Sequence, residues 1–164
     1  MLLIALSLVF PFAIVFAMVS DFRSFEIPDS VPLLLVIMYP ITAICAGFSW
    51  SQIFWAFSLG ALVLVFAIIL FSLRIMGGGD GKLLAASVLW IGPENLWEFI
   101  FTTAIAGGIL ALGLLLFRGL PLASAFKGFP ALQQLHVRKN DIPYAIAIGC
   151  AGLLFYPNLP ILNY

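Results

Sequence analysis

The sequence predicts an all-α integral membrane protein with six transmembrane helices, and three observations support this class. Hydrophobic residues make up 64% of the chain and charged residues only 9%, whereas soluble domains carry roughly 25% charged residues. Apolar segments recur along the chain, most of them close to the roughly 20 residues that a membrane helix needs. The few charges are concentrated between or at the ends of these segments.

Five of the apolar segments are long enough to cross a bilayer, and a sixth is short. The five clear candidates are 2–20, 31–48, 53–73, 97–117 and 142–158. The sixth is 81–96. A helix from its first residue to Pro93 would be only about 20 Å long, which is less than the thickness of the roughly 30 Å hydrocarbon core. It is expected either to extend past Pro93 or to begin below the membrane surface. Because no basic residue precedes Arg23, the first segment is interpreted as a span rather than a cleaved signal peptide.

The basic residues set the predicted orientation. With six spans, the connections 21–30, 74–80 and 118–141 lie on one side of the membrane and the other two connections on the opposite side. All seven basic residues belong to the first side or its border: Arg23, Arg74, Lys82, Arg118, Lys127, Arg138 and Lys139. Under the positive-inside rule that side is cytoplasmic, and both termini are extracytoplasmic. Residues 1–164 are expected to form a single membrane domain.

The composition argues against several other classes of function. Seven basic and seven acidic residues give no net charge, so nothing points to nucleic-acid binding. Cys45 and Cys150 lie in apolar runs, His136 is the single histidine, and there is no CxxC pair. Neither a metal site nor a disulfide framework is therefore expected.

Two aspartates at the ends of apolar segments form the candidate site. Asp21 follows the first segment in "VSDFRSFEIPDS", and Asp80 precedes the fourth in "RIMGGGDGKLLAA". Ionisable residues at membrane depth are costly and usually face a cavity with a function. Both aspartates lie at the predicted cytoplasmic boundary, where packing of spans one and four would bring them together. We interpret them as one catalytic pair.

The helix ends predict a division of roles between the two carboxyl groups. Asp80 opens a helix, where the dipole favours a carboxylate, whereas Asp21 ends one, where the dipole disfavours it. Two neighbouring carboxylates also share a proton. The hypothesis is that ionised Asp80 deprotonates a water molecule and that protonated Asp21 donates to a peptide carbonyl.

The residues around Asp80 have predicted supporting roles. Three glycines directly precede it: Gly77, Gly78 and Gly79. Because glycine permits positive φ and close backbone approach, an extended substrate strand is expected to pair with this backbone and cross both carboxylates. Lys82 and Pro28 are candidate supporting residues. Lys82 is expected to neutralise local charge or contact lipid headgroups, with tuning of Asp80 as the alternative.

Three stretches together resemble a known family: "DFRSFEIPD", "GGGDGKLLAA" and the late "IPYAIAIG". They resemble the type IV prepilin peptidases, polytopic aspartic proteases with a GxGD motif. The small size resembles the minimal CpaA/TadV-like branch, which serves tight-adherence (Flp) pili. The resemblance covers essentially the whole chain and implies that Asp21 and Asp80 are catalytic, with Gly77 and Gly79 as the other fixed letters of GxGD.

The resemblance also implies a reaction and a location. The expected reaction is removal of the short basic leader peptide from prepilins at the cytoplasmic face of the bacterial inner membrane, with no metal or other cofactor. Prepilins, the lipid bilayer and the pilus assembly machinery are the expected partners. Larger relatives carry a cysteine-rich insertion and N-methylate the new terminus. Because this chain has no CxxC and no room for that insertion, cleavage without methylation is expected.

Some residues depart from the pattern of this family, and other interpretations stay open. Gly81, Asp29 and Ala145 stand where relatives usually have an apolar residue, Asn and Gly, which affects fine specificity. Asp80 as a helix cap and Asp21 as an interfacial charge form the structural alternative. A transporter or ion-pathway subunit would also use such carboxylates, but near the membrane midplane. A presenilin-type or signal-peptide-peptidase-type protease and an assembly subunit with an inactive site are further alternatives.

Overall fold

A computed structural model describes residues 2–119 and 142–162, and all regular secondary structure in these ranges is helical. The helices are α1 (Leu2–Ser7), α2 (Val9–Ser24), α3 (Ser30–Cys45), α4 (Trp50–Ser72), α5 (Gly78–Ile91), α6 (Leu96–Gly119) and α7 (Ala145–Phe155). Two short 3-10 helices follow α7, Tyr156–Asn158 and Pro160–Leu162. The predicted all-α class is confirmed.

Four helical segments are long and apolar enough to cross a membrane. They are Leu2–Ser24, which combines α1 and α2, Trp50–Ser72, Leu96–Phe117 and Ala145–Leu162. The apolar helix α3 has 16 residues, and α5 has 14 residues and reaches about 21 Å. The chain is therefore a multi-pass membrane protein. Six complete spans with both termini outside stay a prediction.

The first helix runs further than predicted. It was expected to end at residue 20, but α2 continues to Ser24, and Phe25 N–H still donates to the Asp21 carbonyl at 2.8 Å. Phe25 then takes a left-handed conformation with φ 57°, which ends the helix. Asp21 therefore lies inside the last turn of α2 and not in the predicted loop 21–30.

The short helix α5 also differs from the predicted span 81–96. It begins at Gly78, so the predicted loop 74–80 loses its last three residues to the helix. It ends at Ile91 because Gly92 adopts φ +75°, which a helix cannot continue. The predicted span 31–48 is likewise shorter, since α3 ends at Cys45. Most of the predicted loop 118–141, residues 120–141, lies outside the described residues.

Helix α5 lies at the centre of the bundle and packs against α3, α4, α6 and α7. Its interface with α4 is close because each helix contributes a glycine. A Cβ added to Gly60 would lie 2.8 Å from Leu89 Cδ2, and one added to Gly81 would lie 2.8 Å from Ala67 Cβ. Small residues at such positions let two membrane helices approach closely.

The two ends of the bundle differ in chemistry. At one end α1 contacts the final 3-10 helix, and the Ser7 and Tyr156 hydroxyls form a hydrogen bond of 3.2 Å. Asp21 lies near the other end, some 14 residues further along the first helical segment than Ser7. At about 1.5 Å per residue, roughly 21 Å separates the two positions along the helix axis. The candidate site is thus built at the end of the bundle remote from α1.

Candidate active site

Both predicted catalytic aspartates line one cleft of about 1290 Å³. Asp21 reaches it from the last turn of α2 and Asp80 from the first turn of α5. The connection between α2 and α3 and the connection between α4 and α5 form much of its rim, and Ile142 and Tyr144 line it close to the start of α7. The structure therefore brings together two residues that lie far apart in the sequence.

Asp21 is buried, with only 5% of its surface exposed. Its Oδ2 atom accepts a hydrogen bond of 2.9 Å from the backbone N–H of Ala145, the first residue of α7. The first N–H groups of a helix have no partner within the helix, and they lie at the positive end of the helix dipole. The start of α7 thus offsets the unfavourable position of Asp21 at the end of α2.

Asp80 is the third residue of α5 and lies just before the predicted span 81–96. Its carboxylate accepts a hydrogen bond from the backbone N–H of Gly77, the residue that precedes the helix. Burial, together with the nearby charge of Asp21, raises the pKa of Asp80 to about 7, although the Gly77 N–H acts in the opposite direction. Asp80 is therefore not the N-cap that the structural alternative expected, because Gly77 holds that position. From the third helical position its carboxylate binds the Gly77 N–H and is coupled electrostatically to Asp21.

The glycines before Asp80 provide space rather than unusual backbone angles. Gly78 and Gly79 are helical, and Gly77 is extended at φ −69° and ψ 146°, so none of the three uses the positive φ that glycine permits. A Cβ on Gly77 would lie 2.6 Å from the Asp80 carboxylate, and one on Gly79 would lie 3.3 Å from the Ile27 side chain. Gly77 leaves room for the carboxylate, and Gly79 leaves room for Ile27.

Two serine hydroxyls hold the connection between α2 and α3 against the cleft. Ser20 Oγ donates to the Glu26 carbonyl at 2.9 Å, and Ser24 Oγ, which donates to the Ser20 carbonyl within α2 at 2.8 Å, also reaches the Glu26 carbonyl at 3.5 Å. This arrangement folds the chain back after Phe25 and seats Ile27 on Gly79. Nothing in the sequence pattern marked Ser20 for this role.

The two candidate supporting residues lie at the edge of the site. Lys82 Nζ forms an ion pair of 2.7 Å with Asp29 Oδ1, and both side chains are largely exposed. Lys82 therefore neutralises a local charge, as expected, and its partner is Asp29 on the cleft rim. The Pro28 carbonyl accepts the Val31 N–H at 3.0 Å and so helps to start α3.

Sequence reasoning did not assign functional roles to Tyr144 and Ala145. Tyr144 lines the cleft beside Asp21 and Asp80, and Ala145 N–H binds Asp21. Ala145 is 124 residues from Asp21 in the sequence, and a backbone donor leaves no signature in residue type.

The described residues of the cleft are rich in carboxylates. Four acidic side chains and one basic side chain line it: Asp21, Glu26, Asp29, Asp80 and Arg74. Within residues 2–119 and 142–162, no three His, Cys, Asp or Glu side chains are grouped so that they could hold a metal ion. The chemistry that these residues can offer is proton transfer between two coupled carboxyl groups and attraction of positive charge.

The fold and the cleft define a helical membrane protein with two coupled aspartates at one end of the bundle. Residues 8–112 match the family model of the type IV leader peptidase family. The chain belongs to this family, and the matched range contains both Asp21 and Asp80. No curated protein and no solved structure matches the chain.

Proposed function

We propose that the protein is a membrane-embedded aspartic endopeptidase that removes the basic leader peptide from Flp-type prepilins at the cytoplasmic face of the bacterial inner membrane. The observation that carries this proposal is the shared cleft of Asp21 and Asp80, in which the charge of one carboxylate acts on the other. Membership of the type IV leader peptidase family supports the peptidase activity. The location of both aspartates close to helix ends favours hydrolysis over an ion pathway through the membrane midplane.

The environment of the pair favours a division of roles opposite to the one that the helix dipoles of α2 and α5 alone predicted. A backbone N–H that donates to a carboxylate stabilises its ionised form, and each aspartate has one such donor, Ala145 for Asp21 and Gly77 for Asp80. Partial burial and the charge of Asp21 raise the pKa of Asp80, which favours Asp80 as the partner that holds the shared proton near neutral pH. The two groups titrate as a coupled pair, so the proton belongs to the pair.

The proposed reaction follows from this arrangement. A water molecule between the carboxyl groups gives a proton to Asp21 as its oxygen bonds to the carbonyl carbon, and Asp80 gives its proton to the carbonyl oxygen. The tetrahedral intermediate then breaks its C–N bond. The proton on Asp21 passes to the departing amine, and the new carboxyl group returns a proton to Asp80, so the pair is restored.

The charges around the cleft support the proposed substrate and orientation. The described lining residues carry four carboxylates against one arginine, and although Lys82 pairs with one of the four, Asp29, the balance stays negative. This charge favours a basic leader segment. Arg23 lies in the last turn of α2, Arg74 in the connection between α4 and α5, and Lys82 near the start of α5. All three lie at this end of the bundle, which favours a cytoplasmic cleft. The absence of CxxC in the sequence supports cleavage without methylation.

The direct test is cleavage of a Flp-type prepilin by membranes that contain the full chain. We compare the wild type with Asp21→Asn and Asp80→Asn, and with Glu94→Gln as a control that neutralises an exposed carboxylate between α5 and α6. Each aspartate variant is expected to lose at least about 100-fold in rate, the scale of general acid–base catalysis. Glu94→Gln is expected to cleave like the wild type.

Two results would contradict the proposal in different ways. If both asparagine variants still cut the prepilin, then the catalytic groups lie elsewhere in the chain. If the wild type cuts none of several prepilins, then the transporter and the assembly-subunit interpretations gain support. In that case proton or cation flux in liposomes would separate the two.

A further inference from the structure

Tyr144 is placed to touch whatever peptide lies across the two carboxylates. It is the residue directly before α7, is half-buried, and lines the cleft together with Asp21 and Asp80. The next residue, Ala145, holds Asp21 through its N–H at 2.9 Å. The charge of Asp80 also acts on the Tyr144 phenol. The phenol therefore lies near Asp80, and the backbone that carries it is joined to Asp21 through Ala145.

The ring of Tyr144 packs against α6. Gly107 is buried, and a Cβ added to it would overlap the hydroxyl and two ring carbons of Tyr144. The ring thus fills the space that a side chain at position 107 would need and rests against the α6 backbone. It has no room to move away from the cleft in that direction.

The backbone of Tyr144 is fixed as well. Its carbonyl accepts the N–H of Ala147 at 3.0 Å and that of Ile148 at 3.2 Å, which anchors it to the first turn of α7. Because the backbone of Tyr144 is anchored and its ring packs against α6, the ring cannot move aside for a bulky substrate side chain. Closely packed parts of a protein resist even small overlaps.

We propose that Tyr144 is a specificity-determining residue, a rigid wall that limits the size of the substrate side chain next to the scissile bond. This inference rests on the proposed peptidase function and assigns a selectivity residue outside the range that matches the family model. Gly107 acts through Tyr144 as a positioning residue, because it provides the seat for the ring.

The test measures relative kcat/KM for prepilins that carry Gly, Ala or Leu on either side of the scissile bond in turn. At one of these positions the wild type is expected to disfavour the larger residues. Tyr144→Ala is expected to relax that preference at least about 10-fold, since a pocket change of one or a few carbon atoms has effects of 10- to 200-fold. Tyr144→Phe keeps the ring and is expected to retain the preference of the wild type.

Adjacent glycines provide a matched pair of variants. Gly107→Ala places a methyl group against the ring, whereas a Cβ on Gly108 meets no atom within 4 Å. Gly107→Ala is expected to change the preference at least about threefold, and Gly108→Ala to leave it unchanged. In a Tyr144→Ala background, Gly107→Ala is expected to have no further effect on the preference, because the ring through which it acts is gone.

The outcomes separate this inference from the proposed function. If the wild type cleaves and Tyr144→Ala lowers the rate equally for every substrate, Tyr144 has a structural role only and the inference is overturned. It is also overturned if the wild type shows no size preference at either position. If the wild type cleaves no substrate in the panel, the proposed function fails and the inference fails with it.

Discussion

The neighbouring helices α4 and α5 pack closely against each other, yet they have opposite relations to their surroundings. In α5, nine of 14 residues are buried, whereas in α4 only four of 23 are buried. Helix α4 nevertheless has the more apolar sequence, and its outward side chains include Phe54, Leu62 and Phe66. In a membrane, lipid solvates such side chains, so apolar character does not indicate burial in the protein. The shorter and less apolar helix is the one that carries Asp80 and forms the centre of the bundle.

The comparison predicts that the same substitution has unequal effects in the two helices. Trp90 on α5 is fully buried, contacts Phe10 and Tyr39 at ring distances of 5.6 and 6.0 Å, and donates its indole N–H to the Leu35 carbonyl at 3.0 Å. Trp90→Ala is expected to destabilise the fold by about 3–5 kcal/mol. Thermal unfolding of the purified protein in detergent measures this loss.

The matched control is Trp55 on α4, which is 65% exposed. Trp55→Ala is expected to change the free energy of unfolding by about 0.5 kcal/mol or less, as surface substitutions usually do. Equal losses at Trp55 and Trp90 would contradict the division between a lipid-facing α4 and a central α5.

Asp80 provides a second test, because a buried carboxylate at the functional end of α5 should cost stability. Its pKa is raised from 3.8 to about 7, so the folded state favours the protonated form. The folded protein therefore loses stability as the pH rises from about 4 to about 7, and above that range it must hold the buried charge. Asp80→Asn removes the charge and keeps an oxygen that can accept the Gly77 N–H. It is expected to gain about 2 kcal/mol at pH 8 and much less at pH 5, as seen from melting temperatures.

Glu98→Gln on α6 is the control for this pH dependence, because Glu98 is exposed to solvent. It is expected to have the same small effect at both pH values. If Asp80→Asn were no more stable than the wild type at pH 8, the expected cost of holding the Asp80 charge in the folded protein would be wrong.

The sequence could predict the helical class and the location of the two aspartates, because both depend on local features. Apolar runs mark membrane helices, and a carboxylate at the end of such a run is costly wherever the helix packs. The exact helix ends were less predictable. Ser24 and Gly78 extend α2 and α5 beyond the apolar runs, because hydrogen bonds and not hydropathy decide where a helix stops.

The parts of the site that come from distant backbone groups could not be predicted. The N–H of Ala145 that binds Asp21 depends on how α7 packs against α2, and any residue type except proline offers that donor. The contacts of Tyr144 with Gly107 and of Ile27 with Gly79 also depend on how distant segments of the chain pack together. The predicted assignment of acid and base used only the dipoles of α2 and α5, and so it omitted the start of α7 on Asp21 and the burial of Asp80 beside the Asp21 charge.

The smallest expected effect concerns Lys82, the charged residue of α5 that faces away from the core. Its ion pair with Asp29 joins the starts of α5 and α3, but the two side chains are 50% and 76% exposed. Water and salt screen such pairs, which contribute roughly 0.2–1 kcal/mol. In a double-mutant cycle, Lys82→Gln and Asp29→Asn are therefore expected to show a coupling free energy within that range, and this coupling is expected to shrink in high salt.

The rate of cleavage by Lys82→Gln is expected to stay within about twofold of that of the wild type. A larger loss of activity with unchanged stability would instead mean that Lys82 tunes Asp80, two residues away on the same helix, and that the functional end of α5 extends onto its exposed face.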